Sequence, residues 1–254
     1  MEYVTLGRTN LMVSRSALGT KLLQEVSEED SIEVLNTAYQ GGINFFDTSS
    51  TYSGVEKKIG TALYSKRKNV IISSGTKAIL GKDAALDIEK SLENFTTDTI
   101  DIYHISNEDY LPIPGTDDGL YNEMLKARRS GKIRFIGFTT HNLQLAKESI
   151  DSGLYDVVCY PLNLFSTEEE LALIKQAELA DIGLTAIKTL DSGKIENIPL
   201  AYGFLRQYEN LISIWGARNI DEIQKLLYFE SNPPIIDEQF LAELEELKNQ
   251  AKNQ

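Results

Sequence analysis

Short apolar runs alternate along the chain with longer stretches in which apolar positions recur every three or four residues. The short runs are SALGT (16–20), INFF (43–46), NVIISS (69–74), TIDIYHI (99–105), IRFIGF (133–138), YDVVCY (155–160), GLTAI (183–187) and LISIW (211–215). They lack the polar-apolar alternation of a half-exposed sheet and read as strands covered on both faces. Most are followed by a segment of helical period, such as EEDSIEVLNTAYQ, VEKKIGTALYS, AALDIEKSLENF and LQLAKESIDSG. Several of these end on glycine, the residue that most readily leaves a helix. Eight such strand–helix pairs predict a parallel sheet closed as a (β/α)8 barrel, an α/β fold. Before them, YVTLGRTNLMVS sets Gly7 and Asn10 between two short apolar-containing runs and predicts an N-terminal β-hairpin. After them, DEQFLAELEELKNQAKNQ (237–254) predicts a C-terminal helix. No linker, repeat or low-complexity tract divides residues 1–254, so a single barrel domain is expected.

Composition narrows the partners. The 254 residues are 42% hydrophobic and 25% charged, enough to bury a core. A net charge of −13 disfavours nucleic acid and anionic membranes as main partners without excluding a phosphorylated ligand; a small-molecule partner and a monomer or small homo-oligomer are the expectation. No apolar run approaches the ~20 residues of a membrane span. The opening MEYVTLGRTN lacks the charged-then-apolar order of a signal peptide, and the one cysteine, Cys159, has no partner for an internal disulfide. A reduced, cytoplasmic protein is the expectation. Two histidines and no clustered His/Asp pattern leave little to hold a metal.

Candidate chemistry gathers where strands end. In GINFFDTSSTYSGVEKKIG, Asp47 closes the buried run and Tyr52 follows in a Ser/Thr-rich loop. Barrel active sites lie at the C-terminal ends of strands. An aspartate there also commonly caps the next helix, and a loop tyrosine commonly only packs. The next strand ends in Thr76 and Lys77, within reach of the same space. A cation beside a phenol favours the phenolate, and a carboxylate offsets the cost of burying the cation. With that support a tyrosine gives its proton at neutral pH to an oxygen gaining negative charge.

These residues carry a resemblance to the aldo-keto reductases that covers nearly the whole chain. GINFFDTSSTYSGVEKKIG resembles the family's GxxxxDTxxxYGxSExxxG signature, with Ser53 where glycine is usual and Val55 where serine is usual. GRTNLMVSRSALGT, then TK, DIY, GKIRFIGFTTHN and AIKTLDSGKI, follow in the family's order and spacing. The resemblance implies an oxidoreductase that passes hydride between NADPH, or less often NADH, and a carbonyl carbon. It implies Tyr52 as proton donor, Lys77 as the group lowering its pKa and Asp47 as the lysine's holder. It places Gly19, Thr20, Asp47, Thr139, Thr140, Asn163, Gly193, Gly216 and Arg218 in the cofactor site.

Departures from the pattern define the open questions. The family's catalytic histidine in DLYxxH falls on Ser106, while His104 lies two residues earlier, on the same strand face but about 6.5 Å deeper. Ser106, His104 or His141 in TTHN is left to orient the carbonyl, and His104 reads best as a satisfied barrel-interior histidine. The usual Ser-Asn becomes Thr139-Thr140, the carboxamide-holding glutamine becomes Cys159, and the stacking aromatic becomes Ile187, beside Lys188. Beyond Arg218, Glu222 stands where a basic or amide residue is expected and would repel a 2′-phosphate. The loop after the fourth barrel strand is modest, an open mouth suited to a polar or large substrate, or to a partner protein that completes the site. A barrel that binds nucleotide as a regulatory subunit, with little turnover, is the alternative.

Overall fold

The computed structural model describes residues 1–252. Residues 253 and 254, the end of the expected C-terminal helix, lie outside the described residues. Strands β1 (Tyr3–Thr5) and β2 (Met12–Ser14) pair antiparallel as the predicted hairpin. Asn10 makes its turn with a left-handed backbone, φ 55°. The hairpin plugs the barrel from below. Leu6, Leu11 and Val13 are buried in the same cluster as the interior residues Ala17, Phe45, Ile102 and Val157. Gly183 is needed there, since a Cβ on it would stand 2.7 Å from the Leu6 side chain.

The eight remaining strands are β3 (Ser16–Gly19), β4 (Phe45–Asp47), β5 (Ile71–Thr76), β6 (Ile100–Ser106), β7 (Ile133–Thr139), β8 (Val157–Pro161), β9 (Gly183–Ile187) and β10 (Leu211–Gly216). All pair parallel, and β10 returns to β3 to close the barrel, as the pattern predicts. The third barrel strand runs two residues further than its apolar run, to Thr76, because Gly75 and Thr76 continue the ladder opposite His104 and Ile105. Helices α1 (Glu28–Gln40), α2 (Val55–Leu63), α3 (Gly81–Phe95), α4 (Leu120–Arg129), α5 (Leu143–Asp151), α6 (Glu168–Leu179), α7 (Ile198–Arg206) and α8 (Ile220–Ser231) surround it, and α9 (Glu238–Lys252) follows. Their starts are written locally: Ser27, Asn142, Asn197 and Asn219 accept first-turn amides, and Thr167 with Glu170 forms a capping box.

Because parallel partners share a face, register fixes what lines the barrel. Asp47 pairs with Gly19 and Ser73, His104 with Gly75 and Gly137, and Thr139 with Ser106 and Cys159. These residues therefore line one polar interior that opens at the C-terminal ends of the strands.

Candidate functional site

Asp47 and Tyr52 are held by a loop laced to its neighbour strand. Thr48 and Ser50 donate backbone N–H groups to the carbonyls of Ser73 and Gly75, each at 2.9 Å, and Tyr52 N donates to Ser49 O at 2.9 Å. Gly54, at φ 72°, then turns the chain into α2. That helix is anchored by the buried Glu56, which accepts from Ser74 Oγ at 2.7 Å and from Asn94 Nδ2 at 3.0 Å. Gly60 lets it lie against α3, where a Cβ would meet Asn94 O at 2.5 Å. The later half of the signature string is thus scaffold for the loop that carries the tyrosine.

Tyr52 is half-buried and its hydroxyl has no hydrogen-bond partner among the described residues. Burial, then the charges of Asp47 and Cys159, push its phenol above the ordinary range, so the group keeps its proton at neutral pH. Asp47 accepts a hydrogen bond from Ser73 Oγ at 2.8 Å. Burial raises its carboxyl from 3.8 to about 7, a shift that the Ser73 bond reduces.

Here the structure departs from the expected triad. Lys77 follows β5 at the mouth but is exposed, and its side chain makes no ion pair or hydrogen bond among the described residues. Asp47 therefore does not hold Lys77. Its partner is Ser73, which sequence reasoning passed over although it shares a face of β5 with Gly75 and stands four residues before Lys77. Nor does Lys77 lower the Tyr52 pKa in this arrangement, because burial and negative neighbours set it.

Of the three groups left to orient a carbonyl, the structure separates the roles by depth. Ser106 ends β6 half-buried, with no partner for its hydroxyl among the described residues. His104 is buried below it, its Nδ1 3.1 Å from Thr139 Oγ1, and fills space that Gly75 and Gly137 leave on the flanking strands. Burial lowers its pKa to about 4, against a bond with the Phe138 backbone, so the ring is neutral. It is the satisfied interior histidine. His141 sits at the rim, where Glu108 accepts from its backbone N–H at 2.7 Å and from Thr140 Oγ1 at 3.0 Å. Glu108 lies in the loop after β6, and nothing in its local sequence marks it as this clasp.

The cofactor candidates divide likewise. Thr20 donates its hydroxyl to Asp47 O at 2.9 Å and, beside Gly19, pins the end of β3 to β4. Thr139 and Thr140 spend their hydroxyls on His104 and Glu108. Asn163 donates to Lys188 O at 3.1 Å and accepts from Phe165 N at 2.9 Å, so it organises the loops after β8 and β9. The phosphate side is more open. Gly193 has φ 96°, and a Cβ built there meets nothing within 4 Å. Gly216 is exposed, and Arg218 presents a 60%-exposed guanidinium at the start of α8. An exposed guanidinium beside a helix N-terminus and open glycine backbone suits a phosphate. Glu222 intrudes, its Oε2 accepting from Arg218 N at 2.8 Å and its Oε1 3.5 Å from Arg218 Nε.

Among the described residues, no helix is long and apolar enough to cross a membrane, and no group of three or more His, Cys, Asp or Glu residues is arranged to hold a metal ion.

Comparison with known proteins agrees with this architecture. The profile of the Aldo/keto reductase family matches residues 16–199. The chain is 29% identical to an L-galactose dehydrogenase of Arabidopsis thaliana over 229 residues, covering 82% of this chain and 68% of that protein. It is 30% identical to the Bacillus subtilis aldo-keto reductase YhdN over 199 residues, covering 70% of this chain but only 59% of that relative. An aldo-keto reductase from Bacillus halodurans in its holo form superposes with a TM-score of 0.84 at 16% identity, covering 96% of each chain. One from Klebsiella pneumoniae in complex with NADPH does so with a TM-score of 0.81 at 20% identity, covering 97% of this chain and 95% of that one.

Proposed function

The chain belongs to the aldo/keto reductase family, and from that premise we propose that it is an NAD(P)H-dependent oxidoreductase that reduces an aldehyde or ketone at the barrel mouth. The observation that carries the reading is the Tyr52 hydroxyl, protonated and free of internal partners, standing near Asp47 where the strands end. A bound nicotinamide dinucleotide supplies the hydride and its electron pair to the carbonyl carbon. As that bond forms, Tyr52 gives its proton to the carbonyl oxygen, and Ser106 Oγ donates a hydrogen bond to the same oxygen. Lys77, exposed on a flexible stem, swings toward the phenol to balance the negative charge it acquires. Asp47, half-buried and bonded to Ser73, sets the polarity beneath the tyrosine.

Gly193, Gly216 and Arg218 are the groups placed to take the cofactor's phosphates, with NADPH the expected form and NADH the alternative. Gly19, Thr20, Thr139, Thr140 and Asn163 form the wall against which the nicotinamide end rests. The hydrogen bonds that Thr20, Thr139, Thr140 and Asn163 make to Asp47, His104, Glu108 and Lys188 make that wall pre-shaped rather than adaptable. The Klebsiella relative, bound to NADPH, supports the choice of cofactor.

Tyr52→Phe tests the reading, because it keeps the ring and deletes only the proton. Reduction of 4-nitrobenzaldehyde should fall by at least the ~10²-fold typical of losing a general acid, with NADPH affinity unchanged in a fluorescence titration. A variant as active as its parent overturns the role of Tyr52. A parent that binds cofactor firmly but turns over no carbonyl points instead to a nucleotide-binding regulatory barrel.

A further inference from the structure

The loop that carries Tyr52 is laced to β5 on one side and meets a short 3-10 helix on the other. That helix, Lys21–Glu25, follows β3. Its Leu23 is buried in the core cluster that holds Val55 and Ile59 of α2, and Tyr52 packs against the same cluster. The carbonyls at the helix end need donors. Lys58 of α2 supplies them, its Nζ donating to Leu23 O at 2.7 Å and to Val26 O. The Lys58 ammonium is half-buried and has no carboxylate partner among the described residues, so these two carbonyls answer its charge. Gln24 reaches the other way. Its Oε1 accepts at 3.1 Å from Ser53 N, the amide directly after Tyr52, and its Nε2 donates to Lys21 O at 3.1 Å. Among the described residues this is the one hydrogen bond between the 48–54 loop and the 3-10 helix. A ring is thereby closed: the Tyr52 loop leads into α2, Lys58 of α2 holds the 3-10 helix, and Gln24 of that helix holds the Tyr52 loop. Thr20 stands outside the ring, tied to Asp47 O by its own N–H at 3.0 Å and its hydroxyl at 2.9 Å.

We infer that Gln24 and Lys58 are positioning residues, two links in series that hold the Tyr52 hydroxyl in place at the barrel mouth and keep water from its ring. The inference rests on the proposed reduction for its consequence, and on the closed ring of contacts alone for its geometry. Displacing a reacting group by ~1 Å can cost ~10²-fold in rate. Because the links are in series, breaking both should cost no more than breaking one. The phenol is held above its ordinary range by burial and by Asp47 and Cys159, while Lys77 is exposed. A loosened loop admits water, which favours the phenolate and brings the titration back toward that range.

The test follows reduction of 4-nitrobenzaldehyde by the parent, Gln24→Met, Lys58→Met and the double variant, with urea unfolding to show that each is folded. Each single change should lower kcat about 10-fold while KM and NADPH affinity stay within about 2-fold of the parent, and the double variant should fall no further. The alkaline limb of kcat should move to lower pH in all three. Lys58→Arg and Gln24→Glu, which keep the donor and the acceptor, should restore most of the rate. Unchanged kcat in the single variants overturns the inference. Losses that multiply in the double variant, or an alkaline limb that stays in place, mark scaffold alone and overturn it as well. A rise in KM without a fall in kcat would make the 3-10 helix a substrate wall, again against the inference. If the parent reduces no aldehyde, the proposed reaction fails separately. NMR of isotope-labelled tyrosine then decides the ring, with the Tyr52 signal assigned by its loss in Tyr52→Phe. That signal should titrate at lower pH in Gln24→Met and Lys58→Met than in the parent, and an unchanged titration refutes the inference.

Discussion

Replacing Asp47 by asparagine should make the protein more stable, and increasingly so as pH rises. Asp47 accepts from Ser73 Oγ, a bond an amide oxygen can keep, and has no cation beside it. Its carboxyl titrates at 3.8 when unperturbed and at about 7 in the fold. Between those values the folded chain binds the extra proton, so stability falls as pH rises through the window. At pH 5.5 about half of the 3.8-to-7 difference is already exacted, and the remainder to pH 8 comes to about 2 kcal/mol at 1.36 kcal/mol per pK unit. Asparagine has no such dependence. The stability difference between Asp47→Asn and parent should therefore widen by about 2 kcal/mol from pH 5.5 to 8 and level off above it. Urea unfolding followed through the single tryptophan, Trp215 on β10, measures this at fixed ionic strength. The opposite trend would refute the reasoning. If Lys77 turned inward and paired with Asp47, the carboxyl would fall below its ordinary value and stability would rise with pH as the pair formed. Asparagine would then be destabilising throughout.

Two further changes probe the walls of the site. Glu222→Gln removes the carboxylate that sits against Arg218 and should improve NADPH affinity relative to NADH by about 3-fold, read by direct titration with both cofactors; an unchanged ratio would place the carboxylate away from the 2′-phosphate. Gly137→Ala puts a Cβ 2.3 Å from His104 Nδ1. It should cost about 1–3 kcal/mol by overpacking. His104→Ala should relieve most of that cost in the double variant, whereas additive losses would show that the ring is not what crowds Gly137.

Much of the molecule is legible in local pattern. Eight apolar runs separated by helical period specify the barrel because each strand is covered on both faces, a condition written into consecutive residues. The hairpin turn at Asn10, the Asn and Ser helix caps, and the position of Asp47 at a strand end are also local. So is the depth of His104, which follows from the two-residue period of a strand. What remained hidden depends on register between strands that are distant in sequence. Ser73 bonds Asp47 because β4 and β5 pair Asp47 with Ser73. Glu108 clasps Thr140 because the loop after β6 leans on the end of β7. The signature's Glu56 and Gly60 are tied to Ser74 and to the end of α3, far along the chain, and only the packed helices show that they support the loop rather than the chemistry. Lys77 carries the local mark of a catalytic lysine, yet whether it faces Asp47 or solvent is a choice among rotamers of a long side chain. That choice turns on the balance between burying a charge and leaving it hydrated, which only the assembled barrel mouth can strike.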